Sequence, residues 1–269
     1  MISFLIAVIV LILLYVFALR GRANHPLLRR LRRWKYAHRG LHGNGVPENS
    51  MAAFRLALEN GYGIELDIHL MADGNLAVIH DSSLKRTANA DVNIEDLSTA
   101  DLQKFTLEGT EETIPTFRQV LDLFAGKAPL IVELKSEGDN HAELTETACK
   151  ILDGYEGLFC LESFDPRCIR WLKKNRPDIV RGQLAHNSIH DSQGNVSFLL
   201  RFLMTNLLSN FWNTPDFIAY QFCDRYRLSV RIARKLWKIQ GVSWTLRTQE
   251  ENDTAMQEKW IPIFEGFKP

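Results

Sequence analysis

Residues 64–80 read IELDIHLMADGNLAVIH. Ile64, Leu66, Ile68 and Leu70 alternate with Glu65, Asp67 and His69, the period of two that places each set on its own face of a β-strand. A second β-rich run, 76–80, follows across only Met71-Ala72-Asp73-Gly74-Asn75, too short a link for a parallel crossover. Asp73-Gly74 suits a two-residue hairpin turn, so the runs are expected to pair antiparallel, with Ala72 facing Asn75 and Asp67 facing His80. Glu65, Asp67, His69 and His80 then share one face. Two carboxylates enclosed there need a counter-charge, and a hard divalent cation, Mg²⁺ or Ca²⁺, prefers carboxylate oxygens.

Around this hairpin, short β-rich runs alternate with amphipathic stretches. Strands are expected at 36–39, 64–69, 76–80, 130–134, 158–163, 179–184, 217–221, 242–246 and 261–264, and helices at 50–59, 116–125, 141–152, 166–174, 229–239 and 250–258. Repeated strand–helix units point to a parallel sheet covered by helices. Setting aside the antiparallel return strand leaves eight, the number of a (β/α)₈ TIM barrel. A doubly wound open sheet fits the same pattern. Residues 198–212 are unusually apolar, and Leu199, Leu200, Leu203, Met204, Leu207, Leu208 and Phe211 form a stripe at helical spacing. That stripe suits either an outer barrel helix or a helix at the mouth that meets a bilayer or an acyl chain.

The chain has 269 residues with 32 basic and 32 acidic side chains, yet the balance is uneven. Residues 2–19 carry no charge. Residues 20–35 hold seven basic residues and no acid, leaving 25 basic against 32 acidic elsewhere. The eighteen residues 2–19, apolar but for Ser3, span about 27 Å, so residues 1–20 are expected to be one transmembrane helix and 21–35 a basic juxtamembrane linker before a domain at 36–269. No basic residue precedes the run and no small-residue cleavage pattern follows it, which argues against a signal peptide. The cations C-terminal to the span are expected to hold that side, with the domain at 36–269, in the cytoplasm. Cys149, Cys160, Cys168 and Cys223 form no metal or disulfide spacing. Nucleic-acid binding is not expected, because the basic residues lack interleaved aromatics.

Two further strand ends carry charge. His38-Arg39 closes the first strand, and Glu133 lies in an apolar strand with Lys135 two residues on, on the same face. Carboxylates for a metal, cations for phosphate oxygens and two imidazoles for proton transfer suit metal-assisted phosphoryl chemistry.

The chain resembles the glycerophosphodiester phosphodiesterase family. The match runs through His38-Arg39-Gly40, Pro47-Glu48-Asn49-Ser50, Ala53-Phe54, Glu65-Leu66-Asp67, Asp73-Gly74, His80-Asp81, Leu84 and Arg86-Thr87. It continues at Ile114-Pro115-Thr116, Val132-Glu133-Leu134-Lys135, Ser163-Phe164 and Trp244-Thr245. The resemblance implies a phospholipase-like TIM barrel that cleaves glycerophosphodiesters to glycerol 3-phosphate and an alcohol, through a cyclic phosphate that water opens. It further implies Glu65, Asp67 and Glu133 as metal ligands, His38 and His80 as base and acid, Arg39 and Lys135 as phosphate contacts, and Glu48 and Trp244 as further site residues. With a membrane span, lysophospholipids become candidate substrates beside glycerophosphodiesters. A non-catalytic, headgroup-binding membrane sensor is the alternative, and the complete catalytic set argues against it. The pattern departs at His42, which has no role, and at the last strand, which reads Ile263-Phe264-Glu265-Gly266-Phe267 where a Thr-Asp pair is usual.

Overall fold

The computed structural model describes residues 1–189 and 197–269. One sheet contains β1 (Tyr36–His38), β2 (Gly63–Leu70), β3 (Leu76–Val78), β4 (Leu130–Leu134), β5 (Phe159–Ser163), β6 (Arg181–Ala185), β7 (Phe217–Gln221), β8 (Gln240–Leu246) and β9 (Trp260–Phe264). β1 pairs in parallel with both β2 and β9, which closes eight parallel strands into a barrel and excludes the open sheet. β3 pairs antiparallel with the end of β2 and stays outside the parallel set. Each strand lies within two residues of its expected start.

Every residue of β2 is buried. Its apolar set, Ile64, Leu66, Ile68 and Leu70, joins the core between barrel and outer helices, which includes Phe54, Phe117, Val120 and Phe124. Helix starts are capped by their own sequence: Ser50 Oγ accepts from the Ala53 N–H, and Thr116 and Gln119 form a reciprocal capping box. Inside the barrel, Gly182 on β6 has no room for a side chain, because a Cβ would lie 2.0 Å from the Phe217 ring.

The hairpin differs from the expected two-residue turn. Ile68 pairs with Val78, His69 with Ala77 and Leu70 with Leu76, one residue out of the expected register. Met71 N–H donates to Asn75 O, so Ala72-Asp73-Gly74 forms a three-residue loop with Gly74 at φ 76°. Asp67 therefore aligns with Ile79, whose N–H donates to Asp67 O, rather than with His80. Beyond Val78 the chain leaves the ladder, and residues 79–115 pack over their own cluster of Leu84, Ile94, Leu97, Leu102, Leu107 and Ile114.

The transmembrane span expected over residues 2–19 requires correction. A helix forms at Ile2–Ala18, but its 17 residues rise only about 25 Å. Among the described residues, no helix is long and apolar enough to cross a membrane. Its last turn is also committed to protein. Val16 O accepts from Trp237 Nε1 at 2.7 Å, Phe17 meets the Trp237 ring edge-on, and Leu19 is fully buried. Residues such as Ile2, Phe4, Leu5, Leu11 and Leu13 remain exposed. Tyr15 lies against Ser229, at the start of the helix Leu228–Lys235, while Gly21 meets Pro215 and Ile239, which precede β7 and β8. The N-terminal helix thus descends toward the barrel base.

Residues 21–35 continue across that base. Leu28 and Leu31, on a short helix Leu28–Leu31, insert among Tyr36, Ile131, Cys160, Val180, Phe217 and Val242 at the strand starts. Arg22, read from the sequence as part of a basic collar, pairs with the fully buried Asp216 through Nε (2.5 Å) and Nη2 (2.7 Å). Asp216 also accepts from the Arg181 N–H. Removing one partner of such a pair strands a buried charge, so Arg22→Ala is expected to lower the unfolding free energy by about 3 kcal/mol in urea titration. A loss below about 1 kcal/mol would show that the pair is solvated.

Candidate active site

The polar face of β2 points into the barrel at its C-terminal mouth. Glu65, Asp67 and Glu133 are all buried, and one carboxylate oxygen from each lies within 4.8 Å of the others. Parallel pairing of β2 and β4 sets Asp67 beside Glu133. Lys135 bridges them, with Nζ 3.1 Å from Asp67 and 2.9 Å from Glu133. Arg39, in the left-handed region at φ 53°, donates its backbone N–H to Glu65 and holds its Nε 3.5 Å from Asp67.

These charges divide unequally. Burial and the neighbouring Asp67 and Glu133 push the Glu65 carboxyl well above its usual range. Burial raises Glu133 to about 7, against the opposing pull of Lys135. Burial also works against ionisation of Asp67, but Lys135, His80 and Arg39 hold its carboxyl far below the ordinary range, with an Asn49 Nδ2 hydrogen bond at 2.9 Å. A set of enclosed hard oxygen donors whose charges repel one another fits a divalent cation.

The imidazoles flank this group. His38 ends β1, with Nε2 3.9 Å from Glu65 and Nδ1 2.9 Å from Glu265. His80 Nδ1 is 2.6 Å from Asp81. Burial lowers both histidine pKa values, in each case more than the nearby carboxylates raise them. Each ring thus has a carboxylate at Nδ1, which favours the tautomer protonated there and leaves the Nε2 lone pair available. Glu48 joins the two halves, accepting from Arg39 Nη1 at 2.9 Å and from Arg86 Nη2 at 2.6 Å. Arg86 Nε in turn donates to Asp81. Trp244 packs edge-on against Phe164 and lines the same cavity as His38, Arg39, Glu65, His80 and Glu133.

All nine site residues expected from the sequence therefore meet at the mouth. His69 does not join the metal group: its ring lies between Glu95 (2.6 Å) and His80 O (3.1 Å), where it fastens the 79–115 segment to β2. Sequence reasoning gave no role to Asn49, Asp81, Arg86, Glu162 or Glu265. Asn49, Asp81 and Arg86 stood within quoted motifs, and Glu265 was visible only as a departure in the last strand. Glu162 on β5 sits beside Glu133, buried, and its Oε2 has no hydrogen-bond partner. An acid in the middle of an otherwise apolar strand was its only signal.

A larger cavity of about 910 Å³ opens from His80, Glu133 and Lys135 toward Leu200, Met204 and Trp212. The helix Phe198–Thr205 leaves Phe198, Leu199, Leu200 and Phe202 exposed. The stripe over 198–212 accordingly does not pack as a whole on the sheet; Leu207 is the fully buried member.

Residues 38–264 match the sequence profile of the glycerophosphoryl diester phosphodiesterase family. A glycerophosphodiester phosphodiesterase of Caldanaerobacter subterraneus is 36% identical over 158 residues, covering 55% of this chain and 65% of that protein. A lysophospholipase D of Rattus norvegicus is 32% identical over 138 residues, 46% of this chain and 42% of that protein. The match thus spans about two thirds and under half of these relatives' lengths. Among solved structures, an Oleispira antarctica phosphodiesterase in complex with the product sn-glycerol-3-phosphate superposes with a TM-score of 0.70 at 20% identity, covering 86% of this chain and 92% of that one.

The raised carboxyls give a pH signature. Between the ordinary 4.5 and about 7, folded Glu133 binds a proton that the unfolded chain releases, and Glu65 shifts in the same direction. Their contribution to stability is full below pH 4.5 and is lost as pH rises through about 7. Below pH 6.5 the lowered pKa values of His38 and His80 oppose this trend, so in chelator Tm should fall as pH rises from about 6.5 to 8, and millimolar Mg²⁺ or Ca²⁺ should flatten that decline. Identical Tm profiles with and without cation would count against the assignment.

Proposed function

Because this chain belongs to the glycerophosphoryl diester phosphodiesterase family, we propose that it hydrolyses glycerophosphodiesters to glycerol 3-phosphate and an alcohol, with His38 and His80 moving protons. The observation that carries the reading is the convergence of Glu65, Asp67, Glu133, His38, His80, Arg39 and Lys135 at one end of the barrel. Glu65, Asp67 and Glu133 would hold one divalent cation, Mg²⁺ or Ca²⁺, and such an ion supplies positive charge to phosphoryl oxygens. Arg39 and Lys135 line the approach and attract a phosphodiester monoanion.

Each imidazole is oriented by its own carboxylate, Glu265 for His38 and Asp81 for His80. With Nδ1–H donated to the carboxylate, Nε2 of one neutral ring takes a proton from the attacking hydroxyl, while the partner ring gives the leaving oxygen a proton that its own Nε2 took up beforehand. Lowered pKa values favour the neutral, base-competent ring, so the ring that serves as acid has to be protonated before the step. Glu48 and Arg86 lock Arg39 and Asp81 in place through side-chain bonds.

A lysophospholipase D activity is a second reading, supported by the apolar arm of the 910 Å³ cavity and by exposed Phe198, Leu199 and Phe202 beside it. An acyl chain suits such a lining, whereas a free glycerophosphodiester leaves it unfilled. Attachment to a membrane, with the barrel on the cytoplasmic side, is part of the same proposal. It is supported by the exposed apolar residues of Ile2–Ala18 and by the basic residues that follow, which suit the anionic headgroups of a cytoplasmic leaflet.

Turnover of a glycerophosphodiester panel should vanish in chelator and return with Mg²⁺ or Ca²⁺. Asp67→Asn should lower it by orders of magnitude. His38→Ala and His80→Ala should each cost about 10²–10⁴ while the fold survives. Retention of full turnover by Asp67→Asn or by either alanine variant would refute the assignment. On lysophospholipids, Leu200→Asp combined with Met204→Asp should raise KM and leave glycerophosphodiester turnover unchanged; equal effects on both substrates would argue against an acyl site.

A further inference from the structure

The mechanism leaves His42 unused, although its Nε2 is buried without a hydrogen-bond partner. Its nearest chemistry is the far side of His38. Donor atoms of His38, His42 and Glu265 lie within 4.8 Å of one another, and all three residues are partly accessible. This group is separate in donor type from the carboxylate triad. Two imidazole nitrogens, borderline donors, with one carboxylate oxygen form a mixed set that suits Zn²⁺ and its first-row neighbours better than Mg²⁺ or Ca²⁺. Tetrahedral Zn²⁺ with bonds near 2.1 Å needs donors about 3.4 Å apart, so modest side-chain rotation from the observed spacing suffices. Arg247 Nη2, 3.3 Å from the same Glu265 oxygen, is largely exposed and free to swing away.

We infer that His38, His42 and Glu265 form a second, inhibitory metal site that takes a transition-metal dication such as Zn²⁺. Inhibition follows from the two nitrogens of one ring. His38 Nδ1 now hydrogen-bonds Glu265, while Nε2 faces Glu65. Zn²⁺ bound at Nδ1 displaces the proton from that nitrogen, and a neutral ring then carries its proton on Nε2. No net proton is lost, but the lone pair needed to accept one is gone. A metallated ring is also barred from the doubly protonated form that donates readily, so either role in proton transfer is blocked. The inference rests on the reading of His38 as a proton-transfer group, but its binding arm does not.

The test uses the full chain with Mg²⁺ saturating the carboxylate triad and Zn²⁺ as the probe. Equilibrium dialysis should find one Zn²⁺ per chain beyond whatever the triad retains, and turnover should fall as that site fills. His42→Ala should keep its turnover in Mg²⁺ alone, lose that Zn²⁺ equivalent, and need at least about a hundredfold more Zn²⁺ for the same inhibition. Co²⁺ absorption adds a readout independent of activity, since four-coordinate Co²⁺ at a His-His-Glu site should give visible bands that His42→Ala abolishes. Equal Zn²⁺ binding and inhibition in wild type and His42→Ala would overturn the site. Zn²⁺ bound through His42 without loss of turnover would overturn its inhibitory role. Loss of turnover in His42→Ala without any Zn²⁺ present would place His42 in the reaction itself and likewise overturn the assignment. Failure of the phosphodiesterase reading alone would appear differently, as inactivity in Mg²⁺ with the Zn²⁺ equivalent still bound.

Discussion

Mutual repulsion among enclosed carboxylates is the constraint around which this mouth is built. Glu65, Asp67, Glu133 and Glu162 line one end of the barrel, and Arg39 and Lys135 are the cations set directly among them. The remaining polar contacts answer that imbalance. Asn49 donates to Asp67, the Arg39 N–H donates to Glu65, and the nearby Glu48 carboxylate is answered by Arg39 and Arg86. Charge of this density is costly to bury, so it persists only because the rest of the barrel supplies stability elsewhere.

That stability comes from a division along the barrel axis. At the strand starts the interior is apolar, with Tyr36, Ile131, Cys160, Val180 and Phe217 packed beneath Leu28 and Leu31. At the strand ends it is polar. Because side chains alternate along each strand, only a few inward positions per strand exist, and they pass from packing to chemistry within two residues: Ile131 to Glu133 on β4, Cys160 to Glu162 on β5. The floor therefore supports the site directly, and the peripheral cluster formed by residues 79–115 closes over it from the side, fastened through His69 and Glu95.

The strand pattern and seven of the site residues were legible in local signals, alternation along β2 and β4 and charged residues at strand ends, whereas Glu48 and Trp244 came only from the family resemblance. The register of the hairpin was not, because Asp73-Gly74 serves a three-residue loop as well as a two-residue turn, and the shift appears only in the cross-strand bonds. His69 sits on the expected face, yet Glu95, 26 residues on, takes its ring. Glu265 looked like a loss of family pattern and instead orients His38 from the last strand, a contact across 227 residues that no local spacing encodes. The N-terminal helix was read from hydropathy alone. Hydropathy records an apolar stretch without recording that Trp237 would claim its final turn and Pro215 the residues just after it.

The path from Val16 to Tyr36 has a mechanical consequence. Trp237 grips the helix end, Arg22 is clamped to Asp216, and Leu28 and Leu31 are wedged into the barrel floor, leaving few residues between fixed points. A slack tether would let a catalytic domain wander over a wide cap of positions, with orientation averaged away. Here the helix is a handle. Whatever surface immobilises its exposed turns also sets the height and tilt of the mouth, so reach is exchanged for a constant angle of presentation.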